Sequence, residues 1–275
     1  MLKPEERFFA ELVTKESGII LGEDKSYLLT ARLNPLARAR GFTGLKEFYE
    51  AVKFKVDANL KRELVEALTT NETLFFRDMT PFRILQSDLI PKLKSSPVRP
   101  IRIWCAASST GQEPYSIVMS FLEKWPDLTP RDLSVLCTDI DNTARKKGES
   151  GVYSQIEINR GLPAMMLAKY FRQEGTQWIL SEKIRSFTTW KHINLTQPFV
   201  VPGPFDIVFI RNVLIYFEVT VKKQILERIA TMMKPDGVLF LGSSETSMGI
   251  TEAIHSRPAA GGGSYFVRAG VSVAK

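Results

Sequence analysis

IRIWCAASSTGQEPY, residues 101–115, decides the fold of this chain. An apolar run passes into small polar residues and one glycine, and Pro114 then begins an amphipathic stretch. This order predicts a buried strand, a tight loop and a helix, and in an open α/β sheet such a loop usually holds a ligand. The loop is neither GxGxxG nor a Walker motif, so its small residues and Glu113 favour a nucleoside without a phosphate chain. An ordinary strand-to-helix turn is the alternative.

Apolar runs and amphipathic stretches alternate through the rest of the chain. Further strands and helices are predicted, in chain order, at Leu133–Asp139, Asn142–Gly148, Phe205–Ile210, Val219–Met233, Val238–Leu241 and Ser264–Arg268. Strands that alternate with helices indicate a doubly wound, mostly parallel sheet with helices on both faces. The predicted fold class is therefore α/β.

Residues 1–90 show helical patterns only. Their apolar residues recur at helical spacing, Gly18 ends the first predicted helix, and Thr80 is expected to cap the fifth. The composition of residues 95–100, SSPVRP, indicates a linker. We therefore expect an N-terminal all-α domain over 1–90.

The predicted α/β domain covers residues 91–275. One stretch breaks its alternation, since residues 153–194 hold a short helix and two or three short strands, which predict a small antiparallel β insertion. Residues 249–263, which include AAGGG, are expected to form a flexible loop before the last strand.

The composition is that of an ordinary globular protein, with 44% hydrophobic and 24% charged residues. No apolar run approaches the roughly 20 residues of a membrane span, and the N-terminus lacks the pattern of a signal peptide, so we expect a cytoplasmic protein. Cys105 and Cys137 lie in predicted buried strands and the two histidines are isolated, so no metal site is expected. The formal net charge of +7 favours an acidic partner.

Polar residues follow the predicted second strand. An acidic residue at this place holds ribose hydroxyls in nucleoside-binding sheets, and Asp139 follows the strand directly. Asp141, two residues on, is as well suited to cap the next helix.

Two further positions combine polar and apolar residues in a way that suggests a site. Asn212 follows the strand Phe205–Ile210, where it can face a ligand or satisfy the turn. Arg77 follows Phe75 and Phe76, so we expect it to be half-buried and to need a carboxylate partner from a ligand or from its neighbours.

Five stretches occur in one order after the helical segment: NETLFFR (71–77), WCAASSTGQEPYS (104–116), CTDID (137–141), FIRNVLIYF (209–217) and KPDGVLFLGSSE (234–245). Together they resemble the CheR family of chemotaxis receptor methyltransferases, over about residues 5–268. The resemblance implies a class I methyltransferase (Rossmann-like) fold and S-adenosylmethionine as cofactor, with S-adenosylhomocysteine as product. It also implies transfer to glutamate side chains of chemoreceptors, by direct displacement with the carboxylate as nucleophile.

The resemblance also implies which residues contact the cofactor. The family's contacts match Asn71, Thr73, Arg77, Glu113, Asp139, Asn194, Leu195, Asn212 and Val213. Two of these residues, Asn194 and Leu195, are identified from the resemblance alone.

Two residues are candidates for a catalytic role. An arginine near the start of the α/β domain has such a role in the family, and the matching region offers several cations, of which we take Arg102 as the candidate. Tyr216 is expected to line the acceptor side, with a packing role as the alternative.

The partner implied by the resemblance is the cytoplasmic coiled-coil signalling domain of a chemoreceptor. Arg32, Arg38 and Arg40 are expected to dock on its acidic surface, although a solvated helical surface is the alternative for each. The stretch RQEGTQWILSEKIRSF lacks the glycine-rich spacing of relatives that bind a receptor's C-terminal peptide, so we expect independence of such a tether. We also expect a monomer.

Two other functions stay open at this point. A nucleic-acid methyltransferase agrees with the net charge, but Arg-Asn-Val-Leu stands at 211–214, where base-amine methyltransferases usually have an Asn/Asp-Pro-Pro-aromatic turn. A non-catalytic signalling protein that binds S-adenosylmethionine or its product is the second alternative.

Overall fold

The computed structural model describes residues 1–95 and 100–270, which form two compact units. The first comprises Met1–Thr70 with Tyr216–Val221, and the second comprises Asn71–Ile215 with the chain from Lys222 onward. This boundary lies twenty residues before the expected one at residue 90. Phe75, Phe82 and their apolar neighbours pack into the core of the second unit, which explains the difference. Of the expected linker at 95–100, residues 96–99 lie outside the described residues.

The first unit packs α-helices around an apolar core. They are α1 (Pro4–Ser17), α2 (Ser26–Ala39), α3 (Leu45–Val52) and α4 (Ala58–Leu68). Phe9 and Phe48 are fully buried, and their stacked rings lie 5.3 Å apart between centroids. Gly18 ends α1 as predicted, because its φ of 76° lies in the left-handed region that glycine adopts without steric cost.

A short segment from much later in the chain completes the first unit. The backbone N–H of Ile20 donates to the carbonyl oxygen of Tyr216 at 2.9 Å. The ammonium group of Lys25 lies 5.9 Å from the centroid of the Tyr216 ring, which is a cation–π contact. The first unit is therefore discontinuous in sequence.

The elements from Thr80 onward alternate between helix and strand. They are α5 (Thr80–Ile84), a π-helical turn (Leu85–Leu89), α6 (Ile90–Ser95), β1 (Ile101–Ala106), α7 (Gln112–Lys124), β2 (Leu133–Asp139), α8 (Asn142–Ser150), β3 (Val152–Ser154), α9 (Gln155–Asn159), α10 (Ala164–Tyr170), β4 (Phe171–Glu174), β5 (Gln177–Leu180), α11 (Glu182–Arg185), β6 (Thr188–His192), β7 (Phe205–Ile210), a 3₁₀ turn (Leu214–Tyr216), α12 (Val219–Met232), β8 (Met233–Leu241), β9 (Ile254–Pro258) and β10 (Ser264–Arg268). Thr80 is the first residue of α5 rather than its cap, since Met79 occupies the cap position.

The main sheet of the second unit has, within the described chain, the strand order β6-β2-β1-β7-β8-β10-β9. Strands β6, β2, β1, β7 and β8 are parallel, whereas β10 and β9 run antiparallel to their neighbours. The predicted α/β class is thus confirmed. Because the parallel strands share one direction, their carboxyl ends at Ala106, Asp139 and Ile210 meet at one edge of the sheet.

One prediction about the short strands needs correction. Residues 188–192, expected in the antiparallel insertion, form β6, which pairs in parallel with β2 at the edge of the main sheet. The small antiparallel sheet consists of β3, β5 and β4 in the described chain. A short alternating pattern is typical both of a strand at the edge of the main sheet and of a strand in a small antiparallel sheet. The sequence pattern therefore could not tell which sheet residues 188–192 join.

The expected flexible loop at 249–263 contains β9. Ile254 pairs with Arg268 and Pro258 with Ser264, which makes β9 and β10 a hairpin. The glycines form its turn, since Gly262 and Gly263 have φ values of 88° and 83°.

Residues 1–95 and 100–270 lack two kinds of structural feature. They contain no helix that is long and apolar enough to span a membrane. They also contain no group of three or more His, Cys, Asp or Glu residues arranged to hold a metal ion.

Candidate active site

The candidate site lies in the second unit, at the carboxyl ends of β1, β2 and β7. Backbone strain marks it: the non-glycine residues with positive φ in the described chain all lie in this region. They are Phe76, Asp78, Ala107, Ser109 and Asn212, with φ between 50° and 59°. Such conformations cost about 1–2 kcal/mol each and concentrate at functional sites.

The loop after β1 contacts the end of β2. The hydroxyl of Ser108 donates to the carbonyl oxygen of Cys105 at 2.8 Å, which closes the turn. The backbone N–H of Ser109 donates to the carboxylate of Asp139 at 2.7 Å, and the Ser109 hydroxyl donates to the carbonyl of Asn71 at 2.9 Å. Hydrogen bonds to the end of β2 and to Asn71 therefore hold the small residues of this loop in place.

Asp139 is buried, with 6% of its surface exposed. Its second carboxylate oxygen accepts a hydrogen bond from the backbone N–H of Asp141 at 2.9 Å. Burial raises the pKa of Asp139 to about 6, and the N–H groups of Asp141 and Ser109 oppose that rise. A carboxylate has about four acceptor positions, and these two bonds leave capacity for a ligand that brings hydroxyl groups.

Asp141 has the alternative role that the sequence left open. Its carboxylate accepts from the N–H groups of Thr143 and Ala144, which caps α8. The other oxygen accepts from the side-chain amide of Asn71 at 2.6 Å. Asn71 therefore ties the segment 71–77 to the ends of β1 and β2.

Arg211 is the centre of the site's charge network, and the sequence argument passed it over. Its side chain is 1% exposed, and it donates to the carboxylates of Glu113 and Asp78 and to the carbonyl of Arg77. The bonds to Asp78 and to Arg77 measure 2.8 and 3.0 Å. A charged residue directly after the apolar strand FDIVFI was the signal that could have found it.

The charges of this network depend on one another. Burial raises the pKa of Glu113, and the guanidinium of Arg211 offsets part of that rise. The Arg211 Nε is buried with no hydrogen-bond partner in the described structure. An unpaired buried donor of this kind is a natural contact for a bound ligand.

Arg77 is half-buried, as predicted, but its partner is the backbone. Its guanidinium donates to the carbonyl oxygen of Glu72 at 2.9 Å, rather than to the carboxylate of Glu72 or Asp78. Thr73 is half-buried in the same segment. The segment 71–78 thus runs along the site from the Asp139 side to the Arg211 side.

The remaining expected contacts lie on two loops at the same edge. The N–H of Ile193, just before Asn194, donates to the carbonyl of Asp139 at 3.0 Å, and the Leu195 carbonyl accepts from Arg228 at 3.1 Å. Asn212 and Val213 follow Arg211 directly, and both are half-buried. The structure therefore brings the expected cofactor residues to one edge.

The two candidates for a catalytic role belong to different units. Arg102 is the second residue of β1, at the opposite end of the strand from the site, and its guanidinium donates to the carbonyls of Pro202 and Gly203. Four residues of extended strand, roughly 13 Å, separate Arg102 from the site end of β1, and its catalytic role stays a prediction. Tyr216 belongs to the first unit, so its role on the acceptor side stays a prediction.

The expected docking arginines in the first unit differ from one another. Arg32 donates to the carbonyls of Leu68 and Thr69 at the end of α4, where carbonyl groups lack helical partners, so its role is internal. Arg40 forms an ion pair with Glu63 at 2.9 Å. Arg38 is exposed, and its guanidinium makes no hydrogen bond or ion pair within the described chain.

The arrangement suits a nucleoside. A buried carboxylate with free acceptor capacity, a loop of small residues and a half-buried arginine match ribose hydroxyls, a flat ring and a ligand carboxylate, respectively.

Comparison with known proteins agrees with this interpretation over nearly the whole chain. Residues 71–260 match a family model described as "CheR methyltransferase, SAM binding domain", and residues 4–69 match "CheR methyltransferase, all-alpha domain". Chemotaxis protein methyltransferase Cher2 of Pseudomonas putida is 40% identical over 89% of this chain and 90% of its own length. Chemotaxis protein methyltransferase 1 of Pseudomonas aeruginosa is 38% identical, with 86% and 88% covered. The chemotaxis protein methyltransferase of Vibrio parahaemolyticus is 37% identical, with 90% and 91% covered.

Proposed function

Because the chain belongs to the CheR methyltransferase family and uses S-adenosylmethionine, we propose that it methylates glutamate side chains of chemoreceptors to form glutamyl methyl esters. The match of 86–90% of the chain to proteins named as chemotaxis protein methyltransferases carries this proposal. The proposed acceptors lie on the cytoplasmic part of the receptors, so the proposed reaction takes place in the cytoplasm.

In the proposed reaction, the main task of the protein is to position the two reactants. When bound, S-adenosylmethionine supplies a methyl group on a positively charged sulfur. The acceptor glutamate has a reference pKa of about 4.3, so its carboxylate is already the nucleophile at neutral pH and needs no general base. The protein has to hold the acceptor oxygen in line for direct displacement and exclude water, and such positioning contributes about 7–11 kcal/mol.

The proposed roles of the site residues follow from their surroundings. Asp139 accepts hydrogen bonds from the ribose hydroxyls, because its carboxylate is buried with spare acceptor capacity. Arg77 pairs with the cofactor's carboxylate, and Arg211 holds Glu113 and Asp78 in place around it. Tyr216 lines the acceptor side.

Binding and product chemistry together test the function. Calorimetry should show that S-adenosylhomocysteine binds the wild-type protein and binds Arg77→Ala at least about tenfold more weakly, since a charged hydrogen bond contributes about 1.5–3 kcal/mol. Arg83→Ala, which removes an exposed arginine from the next turn of chain, is the matched control. Tritium from labelled S-adenosylmethionine should appear on receptor protein and be released as methanol by base, as expected of a methyl ester.

Other results would contradict the proposal. Base-stable label, or label on RNA or DNA, would indicate a different acceptor. Binding without any transfer to receptor would indicate a signalling protein that only senses the cofactor. No binding to the wild type would remove the methyltransferase interpretation.

The raised pKa of Asp139 predicts a pH dependence of binding. Ribose hydroxyls donate to the ionised carboxylate, so ligand binding favours the deprotonated form. Affinity for S-adenosylhomocysteine should therefore be constant at high pH and fall as the pH drops through about 6, where Asp139 takes up a proton. Calorimetry at a series of pH values measures this change. Asp139→Asn should bind weakly with no such inflection, and an inflection that survives in this variant would assign it to another group.

The exposed Arg38 is the proposed contact for an acidic receptor surface. Raising the salt concentration and replacing Arg38 with glutamate should both slow methyl transfer to receptor while leaving S-adenosylhomocysteine affinity nearly unchanged. Lys15→Glu, the same charge change on an exposed residue of α1, is the control. An equal loss of transfer and of cofactor affinity would contradict this docking role.

We also propose that no C-terminal receptor peptide is required. The β4–β5 hairpin turns through Gly175 and Thr176 alone, which supports a compact structure. In the same assay, receptor fragments with and without their C-terminal residues should be methylated at equal rates, and a clear preference for the longer fragment would reject this proposal.

A further inference from the structure

Glu245 makes an unusual set of contacts at the carboxyl ends of β7 and β8. One carboxylate oxygen accepts hydrogen bonds from the backbone N–H groups of Val213, Leu214 and Ile215, at 2.9, 2.7 and 3.3 Å. The other accepts from the N–H groups of Asn212 and Gly242, at 2.9 and 2.7 Å. A single side chain therefore satisfies backbone donors on two loops, one after each strand.

The loop depends on this carboxylate for its shape. Asn212 has a φ of 58°, and this left-handed residue turns the N–H groups of the residues around it toward one point. Successive N–H groups arranged in this way form a concave site for an anion, and they repel one another when no acceptor fills it. Only a carboxylate offers two acceptor oxygens with no competing donor.

Gly242 shows how closely the two loops approach. A Cβ at this position would lie 2.7 Å from a carboxylate oxygen of Glu245 and 2.8 Å from the backbone nitrogen of Asn212. Atoms at such distances would displace one another, so any side chain at 242 would move the Asn212 loop. The loops that follow β7 and β8 are therefore in close contact at Gly242.

We propose that Glu245 is a positioning residue for the cofactor site, which holds the loop 212–215 in the shape that presents Asn212 and Val213 to S-adenosylmethionine. The inference rests on the proposed cofactor contacts of Asn212 and Val213. Arg211 lies directly before this loop. The Glu245 carboxylate therefore also holds the backbone next to Arg211, whose side chain bonds Glu113 and Asp78.

The test compares Glu245→Gln with Glu252→Gln. Glutamine keeps the size of the side chain but replaces one acceptor oxygen with an NH₂ group that faces backbone donors. Glu252 is exposed, lies seven residues further on, and makes no hydrogen bond or ion pair in the described chain, so Glu252→Gln is a matched control. Glu245→Asp, which keeps both oxygens on a shorter stem, is the conservative variant and carries the test if glutamine at 245 prevents folding.

The first readout needs no cofactor. Hydrogen exchange of the free protein, followed by mass spectrometry, should show at least about tenfold faster exchange for the amides of 212–215 in Glu245→Gln, with β1 and β2 unchanged. The second is the affinity for S-adenosylhomocysteine, which should fall at least about tenfold, as should the apparent affinity for S-adenosylmethionine, with kcat changed much less. Glu245→Asp should lie between the wild type and Glu245→Gln in both measurements.

Two results would overturn the inference. Unchanged exchange would show that the carboxylate does not hold the loop. Faster exchange with unchanged affinity would show that the loop is held but does not serve the cofactor. A wild-type protein that binds S-adenosylhomocysteine but methylates no glutamate would overturn only the proposed acceptor, since hydrogen exchange and S-adenosylhomocysteine affinity do not depend on the acceptor.

Discussion

Replacing Arg211 with methionine is expected to lower the free energy of unfolding by about 3–5 kcal/mol, the usual cost of removing one partner from a buried ion pair. The methionine fills a similar volume but leaves the carboxylate of Glu113, whose side chain is 12% exposed, without its cation. The half-exposed Asp78 can turn toward water, so Glu113 accounts for most of the expected loss. S-adenosylhomocysteine affinity should fall as well, because Arg211 holds the segment 77–78 through the Arg77 carbonyl and Asp78.

The size of this loss should depend on pH, with a sign that follows from Glu113. Burial raises the pKa of Glu113 even beside Arg211, and loss of the guanidinium raises it further. An acid whose pKa is higher in the folded than in the unfolded state loses stability as the pH rises between the two values. Arg211→Met should therefore be closer to the wild type at about pH 5 than at about pH 8.

Urea unfolding at these two pH values measures the effect. The double variant Arg211→Met with Glu113→Gln should recover part of the stability at the higher pH, since it removes the unpaired charge. Arg83→Met, on an exposed site, should be within about 0.5 kcal/mol of the wild type. If Arg211→Met lowers the free energy of unfolding by less than about 1 kcal/mol, the buried ion pair contributes less to stability than its geometry indicates.

Gly161→Ala should be the most damaging small substitution in the second unit. Gly161 has a φ of 92°, and a Cβ there would lie 2.2 Å from the carbonyl oxygen of Phe75. The clashing atom is backbone in the site segment 71–78, so it cannot move away as a flexible side chain would. We expect a loss of at least about 3 kcal/mol and a distorted cofactor site, because steric overlap adds to the cost of the left-handed conformation.

Gly175→Ala separates these two contributions. Gly175 also has a positive φ, of 58°, but a Cβ there would meet nothing within 4 Å. Its loss should be about 1 kcal/mol, the cost of the backbone conformation alone. Thermal and urea unfolding of both variants provide the comparison, and equal losses at the two glycines would contradict the steric argument.

Most of the fold follows from local sequence patterns. The central parallel strands β1, β2 and β7 are largely buried on both faces, so they appear as nearly continuous apolar runs, and Phe205–Ile210 matches its predicted bounds residue for residue. The domain boundary was less accessible. Phe75 and Phe82 would be buried whether they packed in the helical unit or in the α/β unit, and the neighbouring sequence does not indicate which core they join.

The site was predictable where a rule of sheet topology applies. Asp139 ends β2 and Glu113 lies in the first turn of α7, directly after the loop that follows β1, so both are at the expected edge of the sheet. Arg211 and Glu245 act through partners far away in sequence, and Arg102 lies near the start of β1, away from the end of the strand where the site lies. The charged residue directly after an apolar strand was a local signal for Arg211, but nothing near Arg211 or Glu245 in sequence identifies their distant partners.

The discontinuous first unit has a consequence for synthesis of the protein. A ribosome that has made residues 1–70 has released the helices but not the segment Tyr216–Val221, which supplies the acceptor for the Ile20 N–H. At about 5–20 residues per second, that segment follows roughly ten to thirty seconds later. The N-terminal helices must therefore wait, incomplete, while most of the α/β sheet emerges. The unit whose helices are translated first is therefore completed late in synthesis.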